Sequence, residues 1–516
     1  MPDNITPPSA DDIPNDPSAT NLAEELRDVL GEGQQGFSFA SLCLNTEQTN
    51  ELADLVADFA IDLHKNFGIW QAYEQYNREF FDTPLPMTPC SDSGGGAGPI
   101  HRDRVQHLLW VLYPEVKGGL ILSPTHEDLE RLAEVVTEFV SDQIVSLPKD
   151  SPIKDYLEAP NDFGWDIKGK LMWLGAESYM FRPFYQTYMR RHAEESGKID
   201  ATDDFLCQEC TRWSGLGPID ILARMLDLPE SDRRDLRSWY ERHFALYKVI
   251  RGGEETIEVL NLINDRRYTV RVSAENNRFE SGTYVGGSLV PWRDEWYWSG
   301  LQRGYNQVPD EAIAETRRKM RSQNPQIVCR YDEEYEQTVR EHMEATYQEM
   351  MDYHGTDLIY YPDGLSMASD WKEQVRHQHR SHADSSNGNA ERQTDPDISI
   401  PDELVEAENG VAVFLNPEEG QEMMREFDPL VSGLKRNPDN LAQEERDAII
   451  GFIRSDAISP RFVRRVAEEY GFESILSAWQ LPRGRGTRAL EYLLRSHKGR
   501  YFRKRYPAIG IVQEPQ

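Results

Sequence analysis

Ile257-Glu258-Val259-Leu260-Asn261-Leu262-Ile263-Asn264-Asp265-Arg266-Arg267-Tyr268-Thr269-Val270-Arg271-Val272 is the stretch on which the fold turns. Ile257, Val259 and Leu262 lead into Asn264-Asp265, a turn signal, and Tyr268, Val270 and Val272 alternate on the return. Period-two hydrophobicity on both sides of a turn predicts two paired strands with a buried face. Downstream, Gly282 and Gly286-Gly287 punctuate a strand carrying Tyr284, Leu289 and Val290, and Arg293-Asp294-Glu295 separates Trp292 from Trp296-Tyr297-Trp298. About five short strands fit into roughly 60 residues, the size of a small barrel that protects its edges by closing. Alternation puts Trp296 and Trp298 on one face and Tyr297 on the other.

Away from this module the hydrophobic period is helical. Leu52, Leu55, Val56, Phe59, Ala60, Leu63 and Phe67 form one apolar stripe, predicting a helix over Thr46–Phe67 with Gly68 as its C-cap. Thr125-His126-Glu127-Asp128 has the pattern of a capping box and precedes Leu129, Leu132, Val136, Phe139 and Val140. A third helix is predicted over Glu230–Tyr247, with Leu236, Trp239, Tyr240, His243, Phe244 and Tyr247 on one side. Others are predicted over Asp310–Ser322 and Glu333–Tyr353, followed by a short apolar run, Leu358–Tyr361. Asn416-Pro417 and Ser459-Pro460 each place a cap residue before a proline, a helix-start signal.

The expected fold is therefore mainly α with a small β-barrel module (α+β) in a multi-domain chain. Residues 1–34 are read as a mostly disordered acidic tail with a short helix near Leu22–Leu30, 35–243 as a helical domain and 244–302 as the barrel. Residues 303–375 follow as a helical connector, 376–400 as a polar linker and 401–516 as a C-terminal helical domain with a basic end.

Asp and Glu total 89 against 56 Lys and Arg, a net charge of −33, and the basic residues are 13 Lys against 43 Arg. A carboxylate-rich, lysine-poor surface stays hydrated where salt screens charge, so the balance is read as salt adaptation. It opposes nonspecific binding of nucleic acid or anionic membranes by the molecule as a whole. No apolar run approaches the ~18 residues of a membrane span. The start, Met1-Pro2-Asp3-Asn4, lacks the basic-then-apolar pattern of a signal peptide. Cys43, Cys90, Cys207, Cys210 and Cys329 are an odd, scattered set, unlike a disulfide framework. A cytoplasmic protein is expected.

Several constellations bear on chemistry. Cys207-Gln208-Glu209-Cys210 has half the spacing of a zinc site, without a second pair to complete four ligands. His377, His379 and His382 fall in the polar linker, where ordering metal ligands costs entropy. His101, Asp103 and His107, or His354 and Asp357, could pair a base with a carboxylate. Gly94–Gly98 has neither the leading strand nor the Lys-Ser/Thr of a phosphate loop. No metal and no cofactor are expected, and the absence of a complete catalytic motif leans away from an enzyme.

Two features suggest binding. Trp292, Trp296 and Trp298 lie in the barrel, where aromatic rings either fill the core or present a stacking surface. The segment Leu481–Tyr506 opposes the global charge with Arg483, Arg485, Arg488, Arg495, Lys498, Arg500, Arg503, Lys504 and Arg505, interleaved with aromatics. It could neutralise phosphates or dock on acidic protein surface, its own or a partner's, and the second is the better fit to so acidic a chain.

The blocks Leu122-Ser123-Pro124-Thr125-His126-Glu127-Asp128-Leu129, Trp213-Ser214-Gly215-Leu216-Gly217-Pro218-Ile219-Asp220, Leu262-Ile263-Asn264-Asp265 and Gly287-Ser288-Leu289-Val290-Pro291-Trp292 resemble a bacterial domain-of-unknown-function family. The resemblance spans most of residues 35–310 and implies no activity, cofactor or site. The β module is also similar to small barrels of proteins bearing the SEC-C motif, whose cysteine-histidine cluster this chain lacks. The expectation is a binding or scaffold protein with a protein partner and no membrane. Nucleic-acid binding through the basic end is one alternative. A hydrolase-like site built from His101, Asp103 and His126 is the other.

Overall fold

The alternating stretch forms the core of a closed five-stranded barrel. Its strands are β1 (Phe244–Arg251), β2 (Thr256–Asn261), β3 (Arg267–Arg271), β4 (Tyr284–Trp292) and β5 (Glu295–Tyr305), ordered β1-β2-β3-β5-β4 around the barrel. All pairs are antiparallel except β3 with β5, which meet at Val270 and Trp296. The β2–β3 turn is fastened by Asn261, whose Oδ1 accepts from the Ile263 amide at 2.8 Å, and Asp265 takes the left-handed φ of 59°. Tyr247, Val249, Val259, Tyr268, Val270, Val285 and Leu289 fill the interior. So narrow a barrel has room for its own side chains and little else.

The computed structural model describes residues 16–36, 42–88, 100–273, 279–385, 400–505 and 510–511. They fall into two units, Met1–Val328 and Cys329–Gln516. The fold class is α+β, mainly helical. Among the described residues no helix is long and apolar enough to cross a membrane.

In the first unit, the helix Thr46–Lys65 opens with a capping box between Asn45 and Gln48. It ends at Lys65 with Asn66 as a left-handed cap, two residues earlier than the apolar stripe predicts. Gly68 (φ 96°) instead begins the next helix, Ile69–Phe81. Asp62 joins the two: its carboxylate accepts from the amides of Gly68 (3.0 Å), Ile69 (3.2 Å) and Trp70 (2.9 Å) and from the Tyr179 hydroxyl (2.8 Å). Three of the amide donors orphaned at a helix start are thus satisfied inside the core.

The tail expected over 1–34 is corrected from Asp16 onward. Pro17–Gly36 is a helix that includes the short one expected near Leu22–Leu30 and extends it at both ends, with Leu22, Leu26 and Leu30 buried in the main core as a stripe at four-residue spacing. Lys65 reaches back to Asp16 in a buried ion pair (2.8 Å), also donating to Ser18 Oγ and the Asp150 carbonyl.

The helix predicted over Glu230–Tyr247 is corrected as well. It stops at Ser238, a 3-10 turn covers Trp239–Glu241, and the chain enters β1 at Phe244. Large aromatic residues suit a helix face and a strand equally, and pairing with β2 and β4 decides for the strand. On the barrel's outside, Val290, Trp292 and Tyr297 pack into the helical core. Gly164 permits this approach, since a Cβ there would stand 2.6 Å from the Tyr297 ring.

The second unit is built on a mixed sheet ordered β6 (Leu358–Tyr361), β7 (Val411–Asn416), β8 (Gly420–Arg425) and β9 (Gly510–Ile511). Asn416-Pro417 closes the β7–β8 hairpin rather than starting a helix, with Asn416 Oδ1 accepting from the Glu418 amide at 3.0 Å. Ser459-Pro460 does start one, Pro460–Tyr470, with Ser459 Oγ accepting from the Phe462 amide. The linker expected at 376–400 begins later than expected, because the helix Gly364–Ser385 runs through its first ten positions. Its Lys, Glu, Gln and Arg residues are good helix formers, and Met367 anchors its inner face. Residues 386–399 lie outside the described residues, as do Cys90 and Gly94–Gly98.

Candidate functional site: the barrel and its mount

The barrel is held to the helical domain by a buried charged cluster. The helix Lys198–Gln208 presents Asp203 and Cys207, the helix Gly164–Ala176 presents Lys168, and β5 presents Ser299. Lys168 Nζ pairs with Asp203 Oδ1 and lies 3.2 Å from Ser299 Oγ and 3.5 Å from Cys207 Sγ. The Ser299 hydroxyl donates to Asp203 at 2.8 Å. Arg242, between the 3-10 turn and β1, reaches Asp203 (3.1 Å), Asp204 and Ser288 Oγ on β4 (3.0 Å). Burial raises the Asp203 carboxyl, but the cations Lys168 and Arg242 overcome it and hold the group below the usual aspartate range. Burial pushes the Cys207 thiol up to about 12. A thiol so protonated is a weak nucleophile and a poor metal ligand. Each charged side chain here is paired with an opposite charge, though Arg242 Nε itself makes no hydrogen bond, and the cluster acts as a mount.

The tryptophans divide between two interiors. Trp292 is 1% exposed, packed on the helical core with its Nε1 donating to the Asn161 carbonyl at 3.1 Å. It has no surface to offer a partner, a correction to its place among candidate binding residues. The cause is that β4's outer face becomes a domain contact. Trp296 and Trp298 are half-buried on the barrel's inner face, with ring centroids 4.7 Å from Tyr268 and 5.4 Å from Tyr247, while Tyr297 faces the helices.

What the outside of the barrel shows to solvent is a different aromatic set. Phe244 and Tyr305 are 45% and 42% exposed. Both rings converge over Gly286, where a Cβ would stand 2.7 Å from Phe244 and 3.5 Å from Tyr305. The glycine's bare backbone is the seat of this pair. Tyr284, opposite Tyr305 in the β4–β5 register, carries Lys248 Nζ 5.3 Å from its ring centroid, and Arg303 stands opposite Gly286. These residues come from three strands, and of them only Tyr284 stood among the barrel aromatics considered from the sequence. The signal was present as alternation: 284 and 286 share the face opposite Val285.

No family model, curated protein or solved structure matches this chain. The barrel and its exposed strip therefore rest on geometry.

The C-terminal cations are largely committed within their own unit. Arg483 pairs with Asp439, Arg500 with Asp456 (2.7 Å), Lys504 with Glu336 (3.4 Å) and Arg505 with Glu419 (3.0 Å). Arg495 lies over the Phe502 ring, 4.4 Å from its centroid. Arg488 is exposed, and Arg485 and Arg503 are half-buried. Lys498 is 2% exposed, its Nζ donating to the Ser455 carbonyl at 2.7 Å, and so is corrected from surface cation to buried amine. Its helix, Thr487–Lys498, turns this face to the core.

Burial lowers Lys498 to about 7 from 10.5, against the pull of Asp456 and Glu422. Between these values the unfolded chain holds a proton that the folded chain has released, so stability rises with pH across that window. Lys498→Met is therefore expected to raise the urea midpoint most below about pH 7, with the gain shrinking as pH climbs toward 10.5. A gain independent of pH would show that packing alone is responsible.

The histidine candidates are dispersed into structural roles. His107 is fully buried, its ring bridging the Tyr73 hydroxyl (2.6 Å) and Thr88 Oγ1 (3.1 Å), and burial drops its pKa to about 3. It is a neutral core residue. His126 caps the helix Glu127–Ile144 through Nδ1, which accepts from the Asp128 amide. His101 precedes the helix Arg102–Lys117, which carries Asp103 in its first turn. His354 faces Gln374 and Asp370, while Asp357 is taken by Arg465 at 2.9 Å. His377 sits on the helix Gly364–Ser385 beside Tyr353. The side chains of His379 and His382 lie outside the described residues.

Proposed function

We propose that this chain is a non-enzymatic scaffold that holds a protein partner on the outer face of β1, β4 and β5. The observation that carries the reading is the pair Phe244 and Tyr305, exposed together over Gly286 on a barrel fixed to a large helical body. Aromatic rings ordered on bare backbone offer contact area at small entropic cost. The mount through Asp203, Lys168 and Arg242 supplies the rigidity a recognition surface needs. The commitment of Arg483, Arg500, Lys504 and Arg505 to the chain's own carboxylates favours this face over the basic end, and a protein over a nucleic acid. Cys43, Cys207, Cys210 and Cys329 are free thiols, which fits a reducing cytoplasm.

The test is a photo-crosslinking amino acid placed at position 244 or 305 in the full chain in its native host. A discrete protein adduct is expected from both positions and none from Val145, an apolar residue 81% exposed elsewhere on the surface. Equal labelling at all three positions, or none at any, would remove the proposal.

A further inference from the structure

We infer that the partner presents a short acidic peptide segment with an apolar side chain between its carboxylates, laid across β1, β4 and β5. This inference rests on the scaffold reading of the same face. The strand register arranges the face in rows. Lys248, Tyr284 and Tyr305 form one, and Leu246, Gly286 and Arg303 form the next. Lys248 and Arg303 thus stand on the two outer strands with β4 between them. Strands lie about 4.8 Å apart, which separates the two cations by roughly 10 Å across the strip. An extended peptide rises about 3.3 Å per residue and its side chains alternate faces, so two carboxylates four residues apart face the same way about 13 Å apart, with one side chain midway between them on that face, a span that long Lys and Arg side chains can meet. The side chain between them falls over the Phe244–Tyr305 pair.

Most cations of the module are already paired. Arg242, Arg267, Arg271 and Arg293 all pair with carboxylates. Among the described residues no carboxylate pairs with Lys248, Arg303 or Arg251 at the end of β1, in a chain of net charge −33, and of these three Lys248 and Arg303 share the rows of Tyr305 and Gly286. Two cations left uncompensated beside exposed rings are complementary to a small number of acidic groups. They are too few for a nucleic-acid strand, whose affinity depends on neutralising many successive phosphates against the repulsion of so acidic a body.

The experiment uses the full chain and fluorescence anisotropy at moderate salt. The probes are a labelled short peptide with two glutamates four residues apart and a leucine midway between them, its glutamine twin, its lysine twin and a short oligothymidylate. The acidic peptide is expected to bind, with the glutamine twin about tenfold weaker or worse. The double variant Lys248→Glu/Arg303→Glu should lose the acidic peptide and gain the lysine twin, and Phe244→Ser should weaken both. These positions are on the surface, and unchanged tryptophan emission would establish that the barrel is intact. Equal binding of the acidic and glutamine peptides, or tighter binding of the oligonucleotide, overturns the inference. If the acidic peptide fails while crosslinking at position 244 still captures a discrete protein, the acidic preference is wrong and the scaffold reading survives. Failure of both removes both.

Discussion

Asp203→Ala is expected to destabilise the first unit by about 3–5 kcal/mol, because it strands two cations inside the protein. Lys168 and Arg242 both direct charge at this carboxylate, and the Ser299 hydroxyl donates to it. Desolvating a charge is tolerable only while its partner remains. Lys168→Met combined with Asp203→Leu should be milder than Asp203→Ala alone, since it removes a buried pair together and leaves Arg242 its contact with Asp204. The folded Asp203 carboxyl lies below its unfolded value, so its contribution is present above the ordinary aspartate range and lost as pH falls through the folded one. The gap between native protein and Asp203→Ala should close on acidification. Urea unfolding followed by tryptophan emission, with amide exchange in β4 and β5, reads both effects. An Asp203→Ala protein as stable as the native one would mean that the cluster does not hold the barrel.

Asp62→Ala is expected to cost at least about 3 kcal/mol, through a different cause. No cation is exposed by it. Three backbone amides at the start of Ile69–Phe81 and the Tyr179 hydroxyl lose their acceptor in a site water does not reach. Asp62→Asn keeps one oxygen of nearly the same position and should recover a good part of the loss. Thermal and urea midpoints of the two variants, compared directly, test this. Equal losses would show that the carboxylate's charge matters more than its acceptor count.

The contrast between what could and could not be seen in the sequence follows the range of the interactions. The hairpin around Asn264-Asp265 was legible because its period and turn are local, and so was the helix start at Ser459-Pro460. The first barrel strand was not, because Trp239 through Tyr247 satisfy either period and only partners distant in the chain choose between them. Asn416-Pro417 carries a helix-start signal that a hairpin also tolerates. In the basic end, composition showed the charges but not their fate. Lys498 differs from Arg488 by the face of the helix it occupies, and only packing sets that face. The Phe244–Tyr305 strip was hidden for the same reason, since the barrel's closure brings those two rings to one glycine. Trp292 drew notice as a tryptophan, yet its neighbours seal it.

The clasp between Asp16 and Lys65 has a consequence for where this domain can be cut. Composition turns globular well after Asp16, and a truncation guided by it would start downstream and look harmless. It would leave the Lys65 ammonium in a dry site with the Asp150 carbonyl as its remaining partner and would bare the apolar groove that Leu22, Leu26 and Leu30 now fill. A shortened protein of that kind would tend to self-associate for reasons unrelated to its barrel, and any binding measured with it would report that defect first.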